Sequence, residues 1–274
     1  MSTITEALRA ATALGLEWLD AQLLLLHVLG RSVQDRAWLL AHDSDALPAA
    51  VQAAFDACVQ RRLGGEPVAY ITGHKEFYGL DLLVDERVLV PRPDTETLVE
   101  WALSLLPPQQ PQVLDLGTGS GAIALAIKRA RPDAQVSAVD ASARALQLAQ
   151  ANARRLQLSI EFIHGSWFSG IKKSYQLIVS NPPYIAALDP HLQALRHEPL
   201  RALASGADGL DDIRDIIKQA REHLQPGGWL LLEHGWDQAR AVRALLLAAG
   251  LEDVQSRPDL AGIERCSGGR APSS

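Results

Sequence analysis

From residue 110 onward, short apolar runs alternate with amphipathic segments rich in alanine and leucine, and this alternation leaves few architectures open to the chain. The pattern predicts strands over 112–116, 135–139, 160–164, 177–180 and 229–234, with helices over 122–131, 143–156, 210–223 and 237–249. A strand and helix repeat of this kind specifies an α/β domain, a mostly parallel sheet with helices on both faces. Ligands of such sheets sit at the carboxyl ends of the strands, so the residues just after each strand carry the functional information.

The first part of the chain has a different texture. Residues 5–13, 18–29, 34–41 and 49–62 are rich in Ala and Leu at helical spacing, punctuated by Gly15, Gly30, Pro48 and Gly64-Gly65. Ser2 or Thr3, and Ser32, are candidate helix caps. The expectation is a small helical bundle over 1–73 without catalytic residues, either a packing module or a domain that docks a partner. A strand-like stretch around Gly79 predicts a hairpin, taken as a linker over 74–91, and the α/β domain occupies 92–274. Pro91 and Pro93 stiffen the approach to a helix starting near Thr95, which Asp94 or Thr95 can cap.

Composition narrows the function classes. Among 274 residues, 47% are hydrophobic and 21% charged, an ordinary globular balance, and no apolar run approaches the roughly 18 residues that span a bilayer. Met1-Ser2-Thr3-Ile4-Thr5-Glu6 has neither the basic start nor the apolar centre of a signal peptide, so a cytoplasmic address without a membrane partner is expected. Cys58 and Cys266 are the only cysteines, and no HxxxH or CxxC spacing occurs, so reduced thiols and no metal are expected. A net charge of −6 argues against a broad nucleic-acid footprint, leaving only local basic patches such as Arg61-Arg62 or Arg154-Arg155.

The first predicted strand runs through Val113-Leu114-Asp115-Leu116 into Gly117-Thr118-Gly119-Ser120-Gly121 and then a helix. Glycines there permit positive φ and close backbone approach, and a helix N-terminus presents free N–H groups, which implies a nucleotide-like ligand. A phosphate loop would end in Gly-Lys-Ser or Gly-Lys-Thr, but Gly121 precedes Ala122-Ile123. A dinucleotide fingerprint needs GxGxxG, and this string is one residue too short. Asp115, before the glycines, suits a cationic ligand better than a pyrophosphate. Asp140 lies 19 residues beyond Gly121 at the next strand end, where a carboxylate bridges ribose hydroxyls or caps a helix. Trp167, after the third strand, is read as stacking on adenine, lying near a sulfonium, or simply half-buried in the core.

Asn181-Pro182-Pro183-Tyr184 follows the apolar run ending at Ser180. Two prolines remove two backbone donors and leave carbonyls unpaired, Asn181 adds a side-chain acceptor, and Tyr184 adds an aromatic face. The set suits a planar amide or amino nitrogen held through both hydrogens; a proline turn is the plainer alternative.

Together with Leu89-Val90-Pro91-Arg92-Pro93-Asp94-Thr95-Glu96, these motifs resemble the HemK/PrmC methyltransferases over nearly the whole chain. The resemblance implies a Rossmann-like class I S-adenosylmethionine-dependent methyltransferase domain behind an N-terminal helical substrate-recognition domain. It implies S-adenosyl-L-methionine as co-substrate, with S-adenosyl-L-homocysteine as product. Class 1 peptide chain release factors would be the protein substrate, methylated on the side-chain nitrogen of the glutamine in their GGQ loop, with no nucleic acid engaged directly. By position, cofactor contacts fall on Gly117, Thr118, Gly119, Ser120, Gly121, Asp140, Trp167 and Asn181. The glutamine site falls on Asn181, Pro182, Pro183 and Tyr184, with Asn181, Pro182 and Tyr184 acting in catalysis. Ser166 stands where the family often has Asp, and Ile263 where it usually has Asn, the latter expected to affect a late strand rather than the chemistry. Other amino methyltransferases share the glycine and NPPY motifs, so a ribosomal-protein glutamine or a nucleic-acid base stays open as the alternative acceptor.

Overall fold

The computed structural model describes residues 2–273, which divide into two compact units at the boundary between His74 and Lys75. The first unit is five helices: α1 (Ile4–Ala13), α2 (Trp18–Val28), α3 (Arg36–Ala41), α4 (Ala49–Leu63) and α5 (Val68–Thr72). Thr3 opens α1 with a capping box: its hydroxyl accepts from Glu6 N at 3.2 Å while the Glu6 carboxylate accepts from Thr3 N at 2.8 Å. Leu24, Leu25 and Leu26 are consecutive on α2 and all fully buried, so this helix is enclosed by α1, α4 and α5 rather than lying on a surface. Helix α3 starts later than its sequence pattern predicts. Ser32 caps only the preceding turn, accepting from Gln34 N, and Asp35 stands at the helix start. The short α5 escaped the periodicity because five residues after Pro67 are fewer than two turns.

The second unit opens with a hairpin, β1 (His74–Phe77) and β2 (Leu80–Leu83), turned by Tyr78 and Gly79, both at positive φ. Read from sequence as a linker, it is built into the core of the second unit: Phe77, Leu80 and Leu82 are buried with Leu98, Val99 and Trp101 of α6 (Thr95–Leu105). The main sheet follows from β3 (Gln112–Leu116), α7 (Ala122–Ala130), β4 (Gln135–Asp140), α8 (Ala143–Leu156), β5 (Glu161–His164), β6 (Tyr175–Ser180), α9 (Asp211–His223), β7 (Leu224–Glu233), α10 (Ala239–Ala248), β8 (Glu252–Pro258) and β9 (Glu264–Arg270). Its order is β5-β4-β3-β6-β7-β9-β8, parallel through β7 and antiparallel beyond. This is the mostly parallel α/β sheet that the alternation specifies.

Successive strand residues divide between two cores. Val113, Val136, Leu177 and Leu231 face one layer of helices, and Leu114, Val139, Ile178, Leu230 and Leu232 face the other. The alternation pattern placed neither β8 nor β9, and only a late strand near Ile263 was expected. Their sequences, EDVQSRP and ERCSGGR, are mostly polar or small, and in β9 Gly268 leaves room for others: a Cβ there would lie 2.4 Å from Leu231 and 3.0 Å from Trp101. No helix among the described residues is long and apolar enough to cross a membrane.

Candidate active site

The chain leaves β3 toward β4 on one side and returns to β6 on the other, so the crevice of this sheet opens at the carboxyl end of β3. Pairing of Leu116 with Val139 and with Ser180 brings three exits side by side: Gly117, Asp140 and Asn181. Ser180 Oγ donates to Leu116 O at 2.7 Å and ties two of them together. All three line one cleft of about 250 Å³, with Thr118, Gly119, Ser120, Trp167 and Pro183.

Gly117, Gly119 and Gly121 all adopt positive φ, which the turn requires. Gly117 N and Thr118 N both donate to Val139 O at 2.9 Å. A Cβ on Gly117 would lie 3.3 Å from the Trp167 ring, and one on Gly121 3.0 Å from Leu125, so the turn is closed over by neighbours on both sides. Asp115 does not face this cleft. It is fully buried beneath the loop, where its Oδ2 accepts from Thr118 Oγ1 at 2.6 Å and Ala124 N at 3.2 Å, binding strand, turn and helix together. Burial pushes its carboxyl up to about 7 against those two bonds. The expectation of a carboxylate facing a cationic ligand therefore fails at Asp115: the residue before the turn points into the core by strand alternation.

Asp140 Oδ2 accepts from Gly119 N at 2.9 Å and Oδ1 from Ser142 N at 2.7 Å. The cap of α8 is Ser142, accepting from Ala145 N, which frees Asp140 from that duty. Each carboxylate oxygen keeps a further acceptor position, the pair of acceptors that suits two donating vicinal ribose hydroxyls. With the indole of Trp167 beside Gly117, this wall fits an adenosyl group.

Asn181 Nδ2 donates to Thr95 Oγ1 at 3.2 Å, whereas its Oδ1 is buried with no hydrogen-bond partner. A buried acceptor left unpaired is unfavourable by about 1–3 kcal/mol, so it marks a place where a ligand donor belongs. Pro183 also lines the cleft, but Pro182 is buried behind it and Tyr184 turns away. The Tyr184 hydroxyl donates to Glu233 Oε1 at 3.3 Å, and its carbonyl accepts from Gln238 Nε2 at 3.0 Å. Tyr184 is thus placed as a support of the loop rather than as a cleft wall.

Three further residues matter that sequence patterns did not single out. Thr95, suspected only as a cap, is the partner of Asn181. Glu198 is buried, accepts from Val90 N at 3.0 Å and pairs with Arg92, fastening the segment after NPPY to the Pro91-Arg92-Pro93 segment. Glu233 is buried at the carboxyl end of β7, and burial raises its carboxyl to about 7. A carboxylate closing an apolar run is the signal that identified Asp140, and Leu230-Leu231-Leu232-Glu233 carries it too.

Both units of the chain match models of known protein families. Residues 95–234 match the model of the Methyltransferase small domain and residues 2–73 that of the PrmC N-terminal domain. A release factor glutamine methyltransferase of Bordetella pertussis is 52% identical over 260 residues, covering 93% of this chain and 95% of the relative. The chain belongs to the HemK/PrmC family of release factor glutamine methyltransferases. The Escherichia coli K12 member is 47% identical over 255 residues, 92% of this chain and 91% of that protein. A solved methyltransferase from Pyrococcus furiosus, 18% identical, shares the fold at a TM-score of 0.56 over 78% of this chain and 97% of its own.

The structure describes both residues read from the sequence as departures from the HemK/PrmC pattern. Ser166 lines the cleft, and its carbonyl accepts from Ser169 N at 2.9 Å to hold the turn that presents Trp167. Ile263 sits in the turn joining β8 to β9, where both its backbone groups bond Asp259, a geometry that does not depend on its side chain.

Proposed function

We propose that this protein transfers a methyl group from S-adenosyl-L-methionine to the side-chain amide nitrogen of the glutamine in the GGQ motif of class 1 peptide chain release factors. The observation that carries the reading is Asn181: an amide anchored through its NH2 to Thr95, with its oxygen buried and unpaired on the cleft wall. An unpaired acceptor beside a ribose-binding carboxylate suits a substrate that brings an N–H. The family membership, which extends through the N-terminal domain, supports a protein as the source of that N–H.

S-adenosylmethionine, when bound, supplies the methyl group as a sulfonium electrophile. Gly117 to Gly121, Asp140 and Trp167 would hold it. The chain's remaining task is to present a poor nucleophile, since an amide lone pair is delocalised into its carbonyl. Asn181 Oδ1 would accept a substrate N–H, raising electron density on nitrogen and fixing its direction, on a wall that Pro183 completes. The alkylated nitrogen is strongly acidic and yields its proton to water, so the site needs no dedicated base. A cytoplasmic address accords with a substrate that acts in translation, and the acidic charge disfavours a nucleic-acid acceptor.

Incubation with labelled S-adenosylmethionine and a class 1 release factor, followed by mass mapping, tests this reading. One methyl group on the GGQ glutamine is expected. Label confined to a ribosomal protein or to a nucleic-acid base would overturn it.

A further inference from the structure

We infer that Gln238, at the start of α10, is a positioning residue for the methyl transfer: its side-chain amide clamps the NPPY turn from outside and so sets where the Asn181 oxygen meets the substrate N–H. The inference rests on the function proposed above and assigns to that reaction a residue that lies outside the sequence motifs.

The tetrapeptide is poorly equipped to hold itself. Pro182 and Pro183 carry no N–H, so neither can donate to a neighbouring segment. The near end is fixed by the sheet, where Ser180 is paired with Leu116 and with Leu232. At the far end Tyr184 N donates to Leu203 O at 3.2 Å, but Leu203 belongs to the same excursion between β6 and α9, so that bond stays inside the segment that needs holding. The Tyr184 hydroxyl reaches Glu233 and fixes the ring. The carbonyl is left for Gln238, whose Nε2 donates to it at 3.0 Å. With φ locked at both prolines the turn is stiff, and a displacement of its far end is passed back to Asn181.

Gln238 does more than hold that one carbonyl. Its Nε2 also donates to Asp208 O at 3.3 Å, and its Oε1 accepts from Gly235 N at 2.8 Å. The amide thereby joins the outgoing arm of the excursion at Tyr184 to the returning arm at Asp208, and ties both to the turn after β7. A carboxamide is the neutral side chain that supplies two donors and an acceptor together. Space is kept for it on both sides. A Cβ on Gly209 would lie 2.2 Å from Tyr184 O and 2.8 Å from Gln238 Nε2, and one on Gly235 would lie 3.0 Å from Gln238 Oε1. The plain helix-capping role does not account for the residue: Gln238 stands at the N-cap of α10, yet its side chain makes no capping bond. The helix behind it is seated in the core through Ala239, Val242 and Leu246, so the clamp works from rigid scaffold.

A double-mutant cycle on methyl transfer to a release factor tests this role. Gln238→Ala should lower kcat by about 10- to 100-fold, the range for a reacting group misplaced by up to roughly 1 Å. KM for the release factor and affinity for S-adenosylmethionine by calorimetry should move by less than about threefold. Gln238→Glu keeps the shape and the Gly235 bond but sets a carboxylate oxygen against two carbonyls, so it should lose at least as much. In the Asn181→Ala background the oxygen to be positioned is gone, and Gln238→Ala should cost less than about threefold further. A glutamine that serves structure alone would cost the same factor in both backgrounds. That result, or native kcat in Gln238→Glu, would overturn the inference alone. If Gln238→Ala does not accumulate as folded protein, Gln238→Glu runs the same cycle; failure of both to fold would make Gln238 a structural residue and overturn the inference as well. No transfer to the glutamine by the wild type in the same assay would overturn the proposed function, and the inference with it.

Discussion

Replacing Asn181 with alanine should uncouple stability from turnover. In the folded chain the Asn181 side chain makes one hydrogen bond, 3.2 Å long, to Thr95, and buries one acceptor without a partner. Losing the bond removes about 0.5–1.5 kcal/mol, and removing the orphaned oxygen returns about 1–3 kcal/mol. The two nearly offset, and the balance leans toward a variant between unchanged and about 2 kcal/mol more stable than the native protein. Turnover should move in the opposite direction, since a preorganised hydrogen-bond partner of the reacting group is typically worth about 100- to 1000-fold in rate. Urea denaturation of the cofactor-free protein supplies the first quantity, and single-turnover transfer to a release factor the second. A variant that loses more than about 2 kcal/mol would show that Asn181 is a structural residue, and one that retains turnover would show that its oxygen does not hold the substrate.

Asn152, fully buried on α8, accepts from Leu83 N at 2.7 Å and donates to Leu83 O at 3.0 Å and Ser120 O at 2.9 Å, tying the hairpin to the glycine turn. Asn152→Ala should destabilise by about 3 kcal/mol, one for each bond, visible as a lower thermal midpoint; a loss below about 1 kcal/mol would contradict the tie. Gly117→Ala forces a side chain into φ +71 at 3.3 Å from Trp167. Calorimetry should show S-adenosylmethionine binding about tenfold weaker, from a backbone penalty of about 1–2 kcal/mol, and native affinity would refute a Trp167 wall pressed on the turn. Asp115 is raised from 3.8 to about 7. Between those values the folded protein keeps a proton that the unfolded chain has released, so stability falls as pH rises through that window, and Glu233, raised from 4.5 to about 7, has the same sign. Asp115→Asn cannot titrate, so its denaturation free energy should fall less steeply between about pH 4 and pH 7 than that of the native protein; identical slopes would exclude a protonated Asp115 in the fold.

Parallel strands are legible because burial on both faces makes them continuous apolar runs: QVLDL and YQLIVS stand out from any neighbouring loop. The same rule hides β8 and β9, an edge hairpin of mostly polar or small residues in which Gly268 makes room for Leu231 and Trp101. At the site, residues that leave a strand at its carboxyl end were legible by position, and Gly117, Asp140 and Asn181 meet there. Residues that approach from elsewhere were not. Glu198 is more than a hundred positions from Val90, and no local pattern announces that its carboxylate will accept that backbone N–H. Asp115 misled for a related reason: strand alternation assigns a face, and the face here is the core.

The placement of Tyr184 follows from the same geometry. A residue three places beyond Asn181 can reach the cleft only if the chain continues along it, and the two prolines prevent that by fixing φ through the turn. The chain instead folds back, with Tyr184 N donating to Leu203 O at 3.2 Å and Gln238 holding its carbonyl. Gly209 permits this approach, since a Cβ there would lie 2.2 Å from Tyr184 O. The ring is thereby delivered toward Glu233, on the strand next to β6. In NPPY, then, the asparagine and second proline face the cleft while the tyrosine faces the carboxylate behind it. Tyr184→Phe tests the division: it removes the hydroxyl and leaves the ring, so it should lower stability by about 1 kcal/mol through the lost bond to Glu233 without weakening cofactor binding. Loss of S-adenosylmethionine affinity in that variant would instead place the tyrosine in the cleft.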